Sequence, residues 1–207
     1  MSQKYFVLVD FQNDFVQEQG ALSVKNPQLI QRVQKFLNNL QQGMFEQMIV
    51  TADNHFAETY VFTEEARHYP PHCIHGSQGW HLAVTPKKNI PLQILYKGTT
   101  DMWQEAYTYP VLQQDWKGKE VYLAGVLSDV CVKQAMDGFL SRGAKVTLLE
   151  DLCQGAEKQV PEIVSGAEYD TFVRGGLLRH ITAAQFFRRE LLNKKIMANV
   201  ICNGEGR

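Results

Sequence analysis

The stretch Glu120-Val-Tyr-Leu-Ala-Gly-Val-Leu-Ser-Asp-Val-Cys131 decides how this 207-residue chain is read. Val121 to Val126 is short, continuous and rich in apolar and β-branched residues, the pattern of a strand covered on both faces in a parallel sheet. Gly125 permits a tight exit, and Ser128 or Asp129 is placed to cap a helix. Val132, Ala135, Met136, Phe139 and Leu140 then recur at helical spacing up to Gly143. Cys131 therefore falls in the first turn of a helix, where unpaired backbone N–H groups and the positive end of the dipole favour a thiolate. A cysteine taken at random is a small buried hydrophobe. This one stands where a strand hands over to a helix, at the rim where open parallel sheets bind ligands.

The rest of the chain repeats the strand-and-helix alternation. Tyr5 to Val9, Gln47 to Thr51, Gln93 to Tyr96, Lys145 to Leu149 and Leu178 to Ile181 read as further strands. Leu29, Ile30, Val33, Phe36, Leu37 and Leu40 mark a helix from Pro27 to Gln42, with Pro27 near its start and Gly43 just past its end. A polar connection is expected from Asp151 to Pro161 and a helix from Pro161 to about Val173. Thr182 to Gln185 has the spacing of a capping box for a last helix ending near Leu192. Lys194 to Arg207 shows no clear pattern and suits an ordered tail, a contact between subunits of a homo-oligomer, or disorder. The alternation predicts one α/β domain over 1–207, a three-layer α/β/α fold with a mostly parallel six-stranded sheet and helices on both faces.

Composition narrows the partners. A net charge of −1 without a dense Lys/Arg cluster argues against nucleic acid or a membrane surface and leaves a small molecule. Cysteines at 73, 131, 153 and 202 form no CxxC pair, and Lys4 to Val9 is too short for a signal core. A cytoplasmic protein with free thiols is expected. No apolar run approaches the roughly 20 residues of a membrane span. Trp103, Tyr107, Tyr109 and Trp116 read as packing.

Three predicted strand ends carry chemistry: Asp10 after the first, Lys97 after Gln93 to Tyr96, and Cys131. A thiol can attack a carbonyl and a carboxylate can carry its proton to the leaving group, while an ammonium favours the thiolate and orients the carboxylate. Residues 52–91 interrupt the alternation with five of the six histidines and the punctuation Pro70-Pro71, Gly76 and Gly79, and read as a functional excursion. Within it, Asp53 and His55 follow a strand and His72 follows the prolines. That donor set would be accepted by zinc, iron or manganese. Glu64, Glu65, His68, His75 and His81 are further candidates that spacing does not separate.

Asp10-Phe-Gln-Asn-Asp-Phe15, Asp53-Asn-His55, Tyr69-Pro-Pro-His72, Tyr96-Lys97-Gly98 and Gly125-Val-Leu-Ser-Asp-Val-Cys131 occur in an order that resembles the isochorismatase-like cysteine hydrolases and, within them, the nicotinamidases. The resemblance implies a catalytic triad of Asp10, Lys97 and Cys131. It also implies one divalent ion, zinc first and iron or manganese next, held by Asp53, His55, His72 and a fourth ligand, with Glu65 favoured over Glu64. Backbone oxyanion donors at Leu127 and Cys131 are implied, with a cis peptide at Val126-Leu127, and Phe15 and Tyr69 as the faces that sandwich a pyridine ring. The implied reaction converts nicotinamide and water to nicotinate and ammonia through a thioester on Cys131, a step of NAD salvage. Ser128, Val130 and Asn54-His55-Phe56 depart from the usual residues and alter the pocket wall. An amidase for another small amide or ureido compound, needing the triad alone, and a non-catalytic interaction module are the competing readings.

Overall fold

A computed structural model of the chain describes residues 3–87 and 89–204. Six strands form one sheet: β1 (Lys4–Val9), β2 (Gln47–Asp53), β3 (Leu92–Lys97), β4 (Glu120–Val126), β5 (Lys145–Gln154) and β6 (Leu178–Ile181). They lie in the order β3-β2-β1-β4-β5-β6, and every neighbouring pair is parallel. The helices are α1 (Asn13–Val16), α2 (Pro27–Asn39), α3 (Ala57–Tyr60), α4 (Pro110–Gln113), α5 (Cys131–Ser141), α6 (Val160–Val164), α7 (Asp170–Arg174) and α8 (Ala183–Gly204).

The continuous apolar runs of the central strands are divided between two faces by the two-residue period of a strand. In β1, Tyr5, Val7 and Val9 pack with Val132, Met136 and Phe139 of α5 and with Trp103 and Trp116. Phe6 and Leu8 point the other way, to Leu29, Val33, Phe36 and Leu37 of α2 and Phe186 of α8. Val121 and Leu123 of β4 join the first core, and Tyr122, Ala124 and Val126 the second. These two cores make the three layers. Each fully buried side chain of this size contributes roughly 1.5–3 kcal/mol, a reserve that supports the buried charges of the site.

The chain travels outward from β1 through β2 to β3, then returns beside β1 and travels the other way through β4, β5 and β6. The direction reverses between β1 and β4, so a crevice opens beyond their carboxyl ends. Asp10 leaves β1 there, and the turn to Cys131 leaves β4. Gly125, at φ 127°, lets the two strands meet, because a Cβ on it would stand 2.1 Å from the Val9 carbonyl oxygen.

Several boundaries differ from the sequence reading. β5 does not stop at Leu149 but continues to Gln154, re-pairing with β4 after a register shift that sets Cys153 opposite Gly125 and Gln154 opposite Val126. The helix expected from Pro161 to Val173 is broken into α6, a 3-10 turn at Ala167–Tyr169 and α7, because Gly166 is extended (φ −63°, ψ 138°). The last helix does not end near Leu192. No Pro or Gly interrupts the sequence before Gly204, and α8 runs to that residue; residues 205–207 of the expected tail lie outside the described residues. The predicted capping box is present, with the Thr182 N–H donating to Gln185 Oε1 (2.9 Å) and the Gln185 N–H to Thr182 Oγ1 (3.2 Å). Among the described residues no helix is long and apolar enough to cross a membrane.

Candidate active site

Asp10, Lys97 and Cys131 come together although they leave three different strands. The Lys97 ammonium lies 2.8 Å from Asp10 Oδ2 and 4.0 Å from Cys131 Sγ, donates to the Thr99 carbonyl at 3.0 Å, and also pairs with Asp53 Oδ1. Thr51, on β2, donates from Oγ1 to Asp10 Oδ1 at 2.6 Å. The triad, Thr51 and Asp53 are all buried. Lys97 therefore holds two carboxylates at once, one from β1 and one from β2.

Burial would push the Lys97 amine down, but the carboxylates of Asp10 and Asp53 outweigh it and keep the amine cationic well beyond its ordinary range. Burial pushes the Asp10 carboxyl up, Lys97 pulls it back and Asp53 adds to the rise; the balance is about 6. Asp53 is also pushed up by burial, but Lys97 and His72 hold it below the usual carboxylate range. Burial lifts the Cys131 thiol well above its ordinary value; Lys97 opposes this, while Asp10 and Asp53 reinforce it. This corrects the expectation of a resting thiolate. The ammonium is committed to two carboxylates, so Cys131 rests as a thiol beside a carboxylate that can take its proton.

The turn before Cys131 differs from expectation as well. Neither Ser128 nor Asp129 caps α5, whose N-cap is Val130 without a side-chain bond. Asp129 instead accepts the N–H groups of Ala156 (3.0 Å), Glu157 (2.7 Å) and Lys158 (2.9 Å), tying the β4 turn to the loop after β5. The Leu127 carbonyl accepts from the N–H groups of Val130 (3.0 Å) and Val132 (3.1 Å), and the Val126-Leu127 peptide is cis. The Cys131 N–H is one of the orphan donors of a helix start.

Beside the triad, Asp53, His55, Glu65 and His72 are all buried, and each offers one ligand atom within 4.8 Å of the others. His55 Nε2 is 3.2 Å from Glu65 Oε2, and His72 Nε2 is 3.5 Å from Asp53 Oδ2 and 3.6 Å from Glu65 Oε2. Even so, His55 Nε2 and both Glu65 oxygens make no hydrogen bond. A buried polar group left in that state costs roughly 1–3 kcal/mol. Two imidazole nitrogens and two carboxylates converging with unused lone pairs fit a divalent ion such as zinc. His72 Nδ1 lies 2.9 Å from the Pro70 carbonyl oxygen. With the ring proton donated there, Nε2 presents its lone pair to the cluster.

Glu65 rather than Glu64 therefore belongs to the cluster. Glu64 is exposed and pairs with Arg67 at 2.9 Å, because the 3-10 turn Glu65–Arg67 points successive side chains apart. Of the other candidates, His68 is exposed near Glu64, and His75 bonds Asn54 Oδ1 at 2.8 Å and stacks on Phe56. His81 packs edge-on to Trp80. None of the three joins the cluster.

Phe15 and Tyr69 line the same cavity as Cys131, Asp53, Glu65, His72, Leu127 and Val130, with Leu22 and Thr100 also in its wall. Its volume is about 20 Å³, room for a water molecule or so. Tyr69, Leu127 and Val130 also line an adjoining groove of about 580 Å³, so these three side chains separate the buried thiol from an open approach.

Sequence reading did not single out Tyr60, Thr51 or Gln12. The Tyr60 hydroxyl donates toward the carbonyls of Tyr69 and Pro70, each at 3.0 Å, and lies 3.3 Å from His72 Nδ1. A lone Tyr in a loop carries no such signal, and Thr51 looks like any strand residue. Gln12 stands within the Asp10-to-Phe15 motif, where nothing in the pattern gives it a role.

The model of the isochorismatase domain matches residues 4–162. The chain belongs to the isochorismatase family. Its relatives include a nicotinamidase of Saccharomyces cerevisiae, 24% identical over an alignment covering 78% of this chain and 92% of that one. A nicotinamidase of Escherichia coli is 27% identical, covering 77% and 86%. Among solved structures, the pyrazinamidase of Pyrococcus horikoshii in complex with zinc superposes with a TM-score of 0.66 at 21% identity, over 87% of this chain and 99% of that one.

Proposed function

We propose that the protein is a metal-dependent cysteine amidohydrolase that converts nicotinamide and water to nicotinate and ammonia, a step of NAD salvage. The observation that carries this reading is the adjacency of two buried sets: the Asp10–Lys97–Cys131 triad, and the four-ligand cluster with three unsatisfied atoms. The curated relatives named nicotinamidase support the choice of amide.

Cys131 Sγ attacks the carboxamide carbon as its proton passes to Asp10, a carboxylate at neutral pH because its pKa is about 6. Negative charge gathers on the amide oxygen, where the N–H groups of Leu127 and Cys131 are assigned as donors; one such donor is worth roughly 2.7–4 kcal/mol. As the tetrahedral centre collapses, Asp10 returns the proton to the nitrogen and ammonia leaves, with the acyl group now a thioester on Cys131. A water then attacks the thioester carbon, Asp10 takes one of its protons, and Sγ departs and is reprotonated as nicotinate forms. Lys97 keeps Asp10 ionised and aimed throughout. Phe15 and Tyr69 are assigned to the ring faces, the cavity between them widening to admit the ring, which suits a flat neutral substrate with no need of a basic pocket.

Asp53, His55, Glu65 and His72 would hold the ion. When bound, it supplies a Lewis-acid anchor for the pyridine nitrogen, orienting the substrate rather than generating the nucleophile.

The test is metal content and turnover before and after chelation. Zinc, iron or manganese near one per chain is expected, with a steep rise in KM once it is removed and Cys131 still open to alkylation. Metal-free protein hydrolysing nicotinamide at full rate would reject the metal part of the reading, in favour of an amidase for another small amide or ureido compound that needs the triad alone.

A further inference from the structure

The side chains after Asp10 in the first loop do something that amide hydrolysis itself does not use. Gln12 is fully buried. Its Oε1 accepts the Asp53 N–H at 2.7 Å, and its Nε2 donates to the Asp53 carbonyl and to the Trp80 carbonyl, each at 2.8 Å. One primary amide thus uses its acceptor and both hydrogens, and grips Asp53 on the two sides of its backbone. The register explains why a grip is needed there. β1 and β2 pair from Tyr5↔Gln47 to Leu8↔Val50, with one further bond from the Asp10 N–H to the Thr51 carbonyl at 3.1 Å. Beyond it the main chain turns away, while β2 continues to Asp53. The Gln12 amide takes the place of the missing peptide and extends the ladder to Asp53.

Asp14 does the corresponding work two residues later. Its Oδ2 accepts the N–H of Cys73 at 2.7 Å, the residue directly after His72, whose backbone is left-handed at φ 44°. Its Oδ1 accepts the Ala21 N–H at 3.2 Å. The excursion passes so close that a Cβ on Gly79 would stand 2.1 Å from Asp14 Oδ2. The bonds of Gln12 to Asp53 and of Asp14 to Cys73 fall on the backbone of a ligand residue or of its neighbour, away from the ligand atoms themselves.

We infer that Gln12 and Asp14 are positioning residues that hold Asp53 and His72 in register with the triad, so that the loop carrying Asp10 also fixes where the metal sits. This rests on the metal-supported reading of the function. The outer partners of metal ligands are commonly worth about 10- to 100-fold in affinity.

The experiment measures zinc affinity by competition with a chromophoric chelator, together with KM and kcat for nicotinamide and the rate of Cys131 alkylation by iodoacetamide. It uses full-length wild type, Gln12→Met and Gly79→Ala. Gln12→Met keeps the length of the side chain and removes its three hydrogen bonds; Gly79→Ala leaves Gln12 intact and displaces the Asp14 carboxylate. Both variants should bind zinc about 10- to 100-fold more weakly. KM should rise at limiting zinc, kcat should return at saturating zinc, and alkylation should stay close to the wild-type rate. A folded Gln12→Met with wild-type zinc affinity overturns the inference. Should Gln12→Met fail to fold, Gly79→Ala decides by the same criterion. Wild type that binds no zinc overturns instead the reading on which the inference rests.

Discussion

Replacing Thr51 with Val tests what supports the carboxylate of the triad. Val preserves the β-branched shape that β2 requires and removes the hydroxyl that donates to Asp10 Oδ1 at 2.6 Å and shares the Asp10 N–H at 3.1 Å with the residue 51 carbonyl. The Asp10 N–H keeps its bond to the residue 51 carbonyl at 3.1 Å, so the backbone stays anchored. A hydrogen bond to a charged group contributes roughly 1.5–3 kcal/mol, and each 1.36 kcal/mol that favours the carboxylate lowers its pKa by about one. Losing the bond should therefore raise Asp10 from about 6 to about 7–8. The sign comes from the role. Asp10 must be ionised to take the thiol proton, so kcat/KM falls tenfold per pH unit below its pKa. In wild type the acid limb should lie near pH 6; in Thr51→Val it should move up by about one to two pH units, with the rate at high pH little changed. Ammonia release measured from pH 5 to 9 gives the profile. An acid limb that stays at the wild-type position would refute the assignment of that limb to Asp10, or the contribution of Thr51 to it.

Cys131→Ala should leave no detectable acyl transfer, and an alkylating probe on wild type should label Cys131 by mass spectrometry; turnover retained in the variant would exclude the thioester. Asp10→Asn should lower kcat by about 10² to 10⁴ while nicotinate still binds, read by titration of the product against steady-state rates. Glu65→Gln should weaken zinc binding sharply and Glu64→Gln should not, since only Glu65 is buried against His55; equal effects in chelator competition would contradict the ligand set. Acidification should release the ion as well. Burial pushes His72 down, but Asp53 and the Pro70 carbonyl outweigh it and hold the imidazole above its ordinary value. Protons therefore compete for the ring from higher pH than they would for a free histidine, and affinity that does not fall from pH 8 to pH 6 would argue against His72 as a ligand.

The sheet was open to reading from sequence because parallel strands buried on both faces are written as unbroken apolar runs, and Val121 to Val126 and Tyr5 to Val9 are such runs. The end of β5 was hidden because Glu150, Asp151 and Gln154 look like a loop; a register shift against β4 keeps them in the strand. Gly166 breaks its helix by adopting an extended backbone, which a glycine permits but does not announce. In the site, Asp10, Lys97 and Cys131 stood out because each lies at or just beyond the end of a strand. Glu64 and Glu65 could not be separated by spacing, since a 3-10 turn decides which of two neighbours faces inward. The resting thiol of Cys131 is hidden for a related reason. The helix start and the nearby lysine were readable, whereas the capture of that lysine by Asp53 as well as Asp10 is a fact of three dimensions. Gln12 lay within a recognisable motif, yet its grip on Asp53 depends on where β1 ends relative to β2.

The most direct test of the central claim is to incubate the purified, zinc-loaded protein with nicotinamide and follow nicotinate by NMR alongside ammonia. Wild type should form one nicotinate for each ammonia, catalytically, and Cys131→Ala should form none. Folded, zinc-loaded wild type whose Cys131 is alkylated by iodoacetamide, yet which forms no nicotinate, would contradict that claim.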